Sequence, residues 1–88
     1  MTKEEKSIFI KKMIGNAMQI DFHRDNEENQ KRCISWFLAR ATLYEELTGD
    51  FETIKQICIS NNIKFILDRY FWIWYSIVKI NERNGKND

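Results

Sequence analysis

The residues best suited to metal binding or nucleophilic catalysis are few and lie far apart in the sequence. The single histidine is His23, and the two cysteines are Cys33 and Cys58. A zinc site requires four ligands, usually in close pairs such as C-x-x-C, and no such pair is present. His23 lies between Asp21 and Asp25, but the sequence identifies no nucleophile or oxyanion donor to complete a catalytic site. The sequence therefore predicts no enzyme, no bound metal and no cofactor.

Both cysteines, Cys33 and Cys58, lie within apolar runs, where cysteine behaves as a small hydrophobic residue. We expect both thiols to be reduced and to belong to the core of a cytoplasmic protein. The N-terminus has no basic start followed by an apolar stretch, so no signal peptide is predicted. An excess of isoleucine over leucine, with many asparagines and lysines, indicates an AT-rich genome. We expect a low-GC bacterium, or one of its phages or other mobile elements, as the source.

Arg40 projects from an apolar arc of the second predicted helix, between Trp36 and Tyr44. A guanidinium group there must be hydrated, paired with an acid or stacked on an aromatic ring. One interpretation is an intramolecular partner, with Asp68 or Glu52 as the counter-ion or with stacking on a neighbouring ring. The other interpretation is an arginine presented to a partner protein beside exposed aromatic residues. The sequence leaves both interpretations open.

The last predicted helix carries a second group of residues suited to binding, because six of the twelve aromatic residues lie between residues 65 and 75. Phe65, Arg69 and Trp72 share one helical face, opposite the main apolar stripe of that helix. This face fits a central helix packed on both sides, or an exposed surface that binds another protein or a second copy of the chain. We predict Phe65, Arg69 and Trp72 as interface residues, with Arg40 as a further candidate.

Residues 51–73 show the pattern of a helix-turn-helix: a short helix, a polar break and another helix. The break carries two asparagines in place of the usual small residue and glycine, and the second helix offers Lys64 and Arg69 to a nucleic acid. A formal net charge of +1 gives no general basic signal. DNA binding is therefore the alternative function.

The uncharged stretch at 70–78 is too short to span a membrane, so no membrane span is predicted.

Helices must position these residues, because the chain has no proline and three glycines and so lacks the usual turn formers. The periodicity of apolar residues predicts helices at 3–21, 26–48, 51–60 and 63–81. The apolar arc of the second helix spans more than half of the helical wheel, so we expect it to contact partners on two sides. Capping residues set the limits of these helices. They are Thr2 with Glu5, Asp25 with Glu28, Gly49, Asp50 and the pair Asn61 and Asn62.

Together these patterns predict an all-α, compact four-helix domain over residues 1–81, with three long helices, one short helix and the last helix central. Residues 82–88 are predicted to be a frayed polar tail. The function predicted by elimination is that of a small non-enzymatic protein, an adaptor or inhibitor, that docks onto another protein. The simplest form of such docking is homodimerisation of the chain through the surface of Phe65, Arg69 and Trp72.

Overall fold

A computed structural model of the chain describes residues 1–69 and shows four helices with no strand in this part of the sequence. Helix α1 spans Lys3–Phe22, α2 spans Glu27–Thr48, α3 spans Phe51–Ser60 and α4 spans Phe65–Arg69. The predicted all-α fold with four helices is confirmed, and α3 has 10 residues against 20 in α1 and 22 in α2. The first three helices begin and end within one residue of the predicted limits.

Several sequence predictions concern residues that lie outside the described part of the chain. They are the continuation of the last helix to residue 81, its central position in the domain, the side chain of Trp72 and the tail at 82–88. These remain predictions.

Local hydrogen bonds explain where α1 begins. The hydroxyl of Thr2 accepts a hydrogen bond from the backbone N–H of Glu5 at 3.1 Å, and the Glu5 carboxylate accepts one from the Thr2 N–H at 3.4 Å. This reciprocal pair is a capping box, which satisfies two of the N–H groups that a helix start leaves without partners. The predicted start of α1 is confirmed.

The predicted N-cap of α2, Asp25, is wrong by one residue. Asn26 is the N-cap, and its side-chain oxygen accepts a hydrogen bond from the N–H of Asn29 at 3.1 Å. The reason lies in the preceding turn, where the Asn26 N–H donates to the carbonyl of His23 at 3.0 Å. Asp25 is inside that turn, so the first residue with the extended backbone that an N-cap requires is Asn26.

Glycine and asparagine supply the two left-handed positions between the later helices. Gly49 has a φ of 69° and ends α2, with its N–H donating to the carbonyl of Glu45 at 2.7 Å. Asn62 has a φ of 59° in the connection between α3 and α4. Beyond it, the Ile63 N–H donates to the Cys58 carbonyl at 2.9 Å. That bond extends the turn, so α4 begins at residue 65 rather than at the predicted residue 63.

Helices α1 and α2 form an antiparallel hairpin. The rings of Phe9 and Tyr44 lie 5.9 Å apart near one end of the hairpin, and the Gln30 amide donates to the Ile20 carbonyl at 3.4 Å near the other. Helix α3 contacts α1, and α4 contacts α3. The core therefore lies where α3 and α4 cover one side of the hairpin. Its buried residues are Met13, Ala17, Ile20, Cys33, Ile34, Phe37, Ala41, Tyr44, Ile54, Ile57, Cys58, Ile63 and Ile66.

Asp50 joins three of these elements through its carboxylate. It caps α3 by accepting from the Thr53 N–H at 3.2 Å, as predicted, and it also accepts from the buried Tyr44 hydroxyl at 2.8 Å. The ammonium group of Lys6 on α1 lies 3.6 Å away. Burial and the neighbouring Asp50 carboxylate raise the pKa of Tyr44. The start of α3 is thereby fixed to both helices of the hairpin.

The two cysteines are free and buried, which confirms their prediction as core residues. Burial raises the pKa of the Cys58 thiol to about 12. Because only the thiolate reacts, we expect Cys58 to resist iodoacetamide in the native protein at pH 8 and to react fully in urea. Mass spectrometry of the alkylated chain measures this difference. Modification of native Cys58 at the rate of the urea-unfolded chain would contradict its burial.

Candidate functional site

The structure places only part of the interface predicted on the last helix. Phe65 is half-buried and packs against the core, whereas Arg69 is exposed, as are its neighbours Lys64 and Asp68. The third predicted residue, Trp72, lies outside the described residues. The surface of Phe65, Arg69 and Trp72 therefore stays a prediction.

Arg40 has an intramolecular partner, but it is neither of the acids expected from the sequence. Its Nη1 donates to the side-chain oxygen of Asn16 on α1 at 3.0 Å. Within residues 1–69 it forms no ion pair with Asp68, Glu52 or any other carboxylate, and it stacks on no aromatic ring. The packing of α1 against α2 explains this result, because it brings the neutral amide within reach. Arg40 is thus a half-buried cation without a counter-ion in the described part of the chain.

Arg40 lies in an open groove that we name the α1–α2 groove. It has a volume of about 680 Å³, within the range of about 300–1,000 Å³ that is typical of ligand sites. Its lining residues come from one face of each helix of the hairpin. They are Glu5, Ile8, Phe9, Lys12 and Asn16 of α1, and Trp36, Ala39, Arg40 and Leu43 of α2.

The wide apolar arc of α2 explains why this groove has apolar walls. Trp36, Arg40, Leu43 and Leu47 are spaced by four, three and four residues, so they share one helical face. The buried residues of α2 belong to a neighbouring face that packs into the core. The sequence predicts partners on two sides of α2, and in the described residues one of those sides is open. The wide apolar arc of α2 is therefore the sequence feature from which the groove could have been predicted.

The exposed apolar side chains at the groove are large. In the lining, Trp36 is 52% exposed, Leu43 47% and Ile8 on the facing helix 55%; Leu47, one turn beyond Leu43 on the same face of α2, is 55% exposed. Single exposed hydrophobic residues are ordinary, but neighbouring ones at helical spacing indicate a binding surface. Sequence reasoning did not select Ile8, Leu43 or Leu47 as site residues.

Positive charge predominates along the groove. Lys12 and Arg40 are the cations in its lining, and Glu5 is the acid. The carboxylate of Glu5 already accepts a hydrogen bond from the backbone of Thr2 in the capping box. A smaller depression of about 240 Å³ shares Trp36 with the groove and adds Arg32 to its wall. The surface therefore combines apolar walls with an excess of cations.

The side chains that line this groove are suited to non-covalent binding. Within residues 1–69 no three His, Cys, Asp or Glu side chains cluster in a way that could hold a metal ion. The groove lining contains aliphatic, aromatic, amide and charged groups, without a cysteine, serine or histidine. Such a lining can hold an apolar body and attract negative charge.

None of the helices in the described part of the chain combines the length and the apolar character needed to cross a bilayer.

The fold is that of a small all-α protein, and its described part carries an open groove with apolar walls. Comparisons with known proteins add no relative: the chain matches no family model, no curated protein and no solved structure.

Proposed function

We propose that this chain is a small, non-enzymatic cytoplasmic protein that acts by docking onto another protein, as an adaptor or an inhibitor. The observation that carries the proposal is the exposure of Trp36, Leu43 and Leu47 on one face of α2, opposite Ile8 on α1. Aromatic residues and arginine contribute most to interface energies, and Trp36 and Arg40 lie side by side in the same groove.

The shape of the α1–α2 groove favours a protein partner over a small molecule. On α1 the lining extends from Glu5 to Asn16, a length of about 17 Å at the helical rise of 1.5 Å per residue. That is about three helical turns, the length over which an amphipathic helix presents its apolar anchors to a groove. The groove is also open along the hairpin rather than enclosed around a ligand.

Affinity capture from the source cell, using the full chain as bait, tests this function and separates the two candidate surfaces. We expect Trp36→Ala combined with Leu43→Ala to lose the captured protein and Arg69→Ala to retain it. Loss with Arg69→Ala alone would assign docking to the surface predicted on the last helix. A wild-type protein that captures nothing beyond the double variant, and that is monomeric at high micromolar concentration, would refute docking.

DNA binding remains the second candidate because the connection between α3 and α4 has the form of a helix-turn-helix. Four residues join the helices, and Asn62 occupies the left-handed position there. Arg24 donates to the Asn62 carbonyl at 3.2 Å and links the turn to the α1–α2 loop. Lys64 is exposed immediately before α4, and Arg69 is exposed at the last described residue of that helix.

The DNA alternative predicts binding that depends steeply on salt. Lys64→Ala and Arg69→Ala should each weaken duplex binding and reduce the slope of log affinity against log salt by about 1. Electrophoretic retardation of a duplex at low and moderate salt measures both effects. Absence of retardation at the lowest salt would remove this candidate, and the capture experiment would be unaffected.

A further inference from the structure

We propose that the α1–α2 groove receives an amphipathic helix of a partner protein that places a carboxylate against Arg40. The inference rests on the proposed docking function and names the chemistry of the partner. The half-buried guanidinium group of Arg40 lies among the exposed side chains of Trp36, Leu43 and Ile8 and has no counter-ion in the described residues. This arrangement is the observation that supports the inference.

Within the described residues, most of the hydrogen-bonding capacity of Arg40 is unused. A guanidinium group has five N–H donors, and in residues 1–69 this one makes a hydrogen bond to the neutral amide of Asn16. Because Asn16 holds the side chain in the groove, an incoming carboxylate meets an oriented donor. A paired geometry of two N–H···O bonds is available to arginine and carboxylate, and covering the groove strengthens it by excluding water.

The charges around Arg40 favour an acidic occupant over a second copy of this chain. Lys12 lies in the same lining, and Arg32 lies in the adjoining depression. The acid of the lining, Glu5, is engaged in the capping box of α1. Two copies that met groove to groove across a two-fold axis would bring these cations together, and like charges at an interface oppose association. An acidic helix neutralises them instead.

The spacing of the apolar residues on α2 indicates how such a helix would be seated. Trp36, Leu43 and Leu47 form a discontinuous apolar ridge, and Arg40 interrupts it near its middle. A partner helix that packs along this ridge presents apolar anchors at i, i+4 and i+7. We expect its acidic residue next to the central anchor, opposite Arg40.

Selection from a peptide library tests this inference with the full chain as the target. The probe is a set of helical peptides of about 16 residues, with leucine fixed at i, i+4 and i+7. The flanking positions vary among Glu, Gln, Lys and Ala. We expect selected peptides to be enriched in Glu beside the central leucine, and to compete with one another for the site that Trp36→Ala removes.

Variants of Arg40 then measure the charge pairing. Arg40→Gln should weaken binding of the selected Glu peptide by about 10–100-fold, and binding of its Gln counterpart by less than about 3-fold. Lys55→Gln, a change at an exposed lysine of α3, is the matched control and should leave both affinities unchanged. Isothermal titration calorimetry of the four protein–peptide pairs gives the coupling between Arg40 and the carboxylate.

The outcomes separate this inference from the function on which it rests. Peptides that bind at the groove without a preference for Glu would overturn the acidic partner and leave docking intact. A concentration-dependent dimer that Trp36→Ala dissociates would overturn it in favour of a second copy. Failure of every peptide in the library to bind would overturn the helical occupant. The capture experiment with the groove double variant decides independently whether the groove docks a protein at all.

Discussion

Replacing Asp50 by alanine is expected to lower the free energy of unfolding by about 2–4 kcal/mol. The carboxylate accepts hydrogen bonds from the Thr53 hydroxyl at 2.5 Å, the Thr53 N–H at 3.2 Å and the Tyr44 hydroxyl at 2.8 Å. Loss of the N-cap costs about 0.5–2 kcal/mol, and leaving the hydroxyl of a buried tyrosine without its acceptor costs about 1–3 kcal/mol. Urea unfolding followed by circular dichroism measures the change.

Two further variants divide this effect between its causes. Asp50→Asn retains an N-cap acceptor and should cost less than Asp50→Ala, because asparagine caps helices about as well as aspartate. Tyr44→Phe removes the hydroxyl and leaves the cap intact. A loss below about 1 kcal/mol for Asp50→Ala would show that the carboxylate does not join α3 to the hairpin as described.

The same carboxylate predicts a dependence of stability on pH. Hydrogen bonds from Thr53, and then from Tyr44, lower the pKa of Asp50 from its ordinary value of 3.8 to about 2. Since the folded-state pKa lies below the unfolded one, this stabilisation is complete above about pH 5 and is lost as the pH falls to about 2. The stability difference between wild type and Asp50→Asn should therefore shrink over that interval. A difference that stays constant would contradict the pairing.

Replacing Trp36 by alanine is expected to weaken partner binding by about 30–1,000-fold, equivalent to about 2–4 kcal/mol. Trp36 is 52% exposed and lies in the α1–α2 groove beside Arg40, where a bound helix would cover its ring. Because the ring is not part of the buried core, the free energy of unfolding should fall by less than about 1 kcal/mol. Titration calorimetry and urea unfolding of the same preparation provide the two numbers.

A matched pair of leucine and isoleucine variants controls for general loss of apolar surface. Leu43 on the groove is 47% exposed and Ile59 on α3 is 43% exposed. Leu43→Ala should weaken binding by about tenfold or more, whereas Ile59→Ala should leave it unchanged. Equal effects of the two substitutions would show that binding depends on exposed apolar surface in general and not on the groove.

Local sequence signals were sufficient to predict most helix limits. The capping pair of Thr2 and Glu5, the left-handed Gly49 and the N-cap Asp50 all act within one or two turns, so their residue types alone indicate their roles. The start of α2 was misplaced because Asp25 and Asn26 are adjacent and both cap well. The hydrogen-bonded turn from His23 decides between them, and residue type does not encode that choice.

The candidate site could be predicted only in part, because it depends on contacts between helices. The sequence identified Arg40 as a cation in an apolar arc, yet its partner Asn16 is 24 residues away. That pairing follows from the register of the hairpin, which no short pattern specifies. The wide arc of α2 predicted two contacting sides, but only the positions of the other helices show which side is open. Residues such as Ile8 and Leu43 then become exposed groove walls.

Site-specific photo-cross-linking in the source cell tests the central claim most directly. A photoreactive phenylalanine derivative replaces Leu43 in the α1–α2 groove or, in the matched control, the similarly exposed Ile59 on α3. If the groove docks a partner protein, irradiation yields an adduct of defined mass from position 43 and none from position 59. Equal adducts from both positions, or an adduct from position 59 alone, would contradict the account.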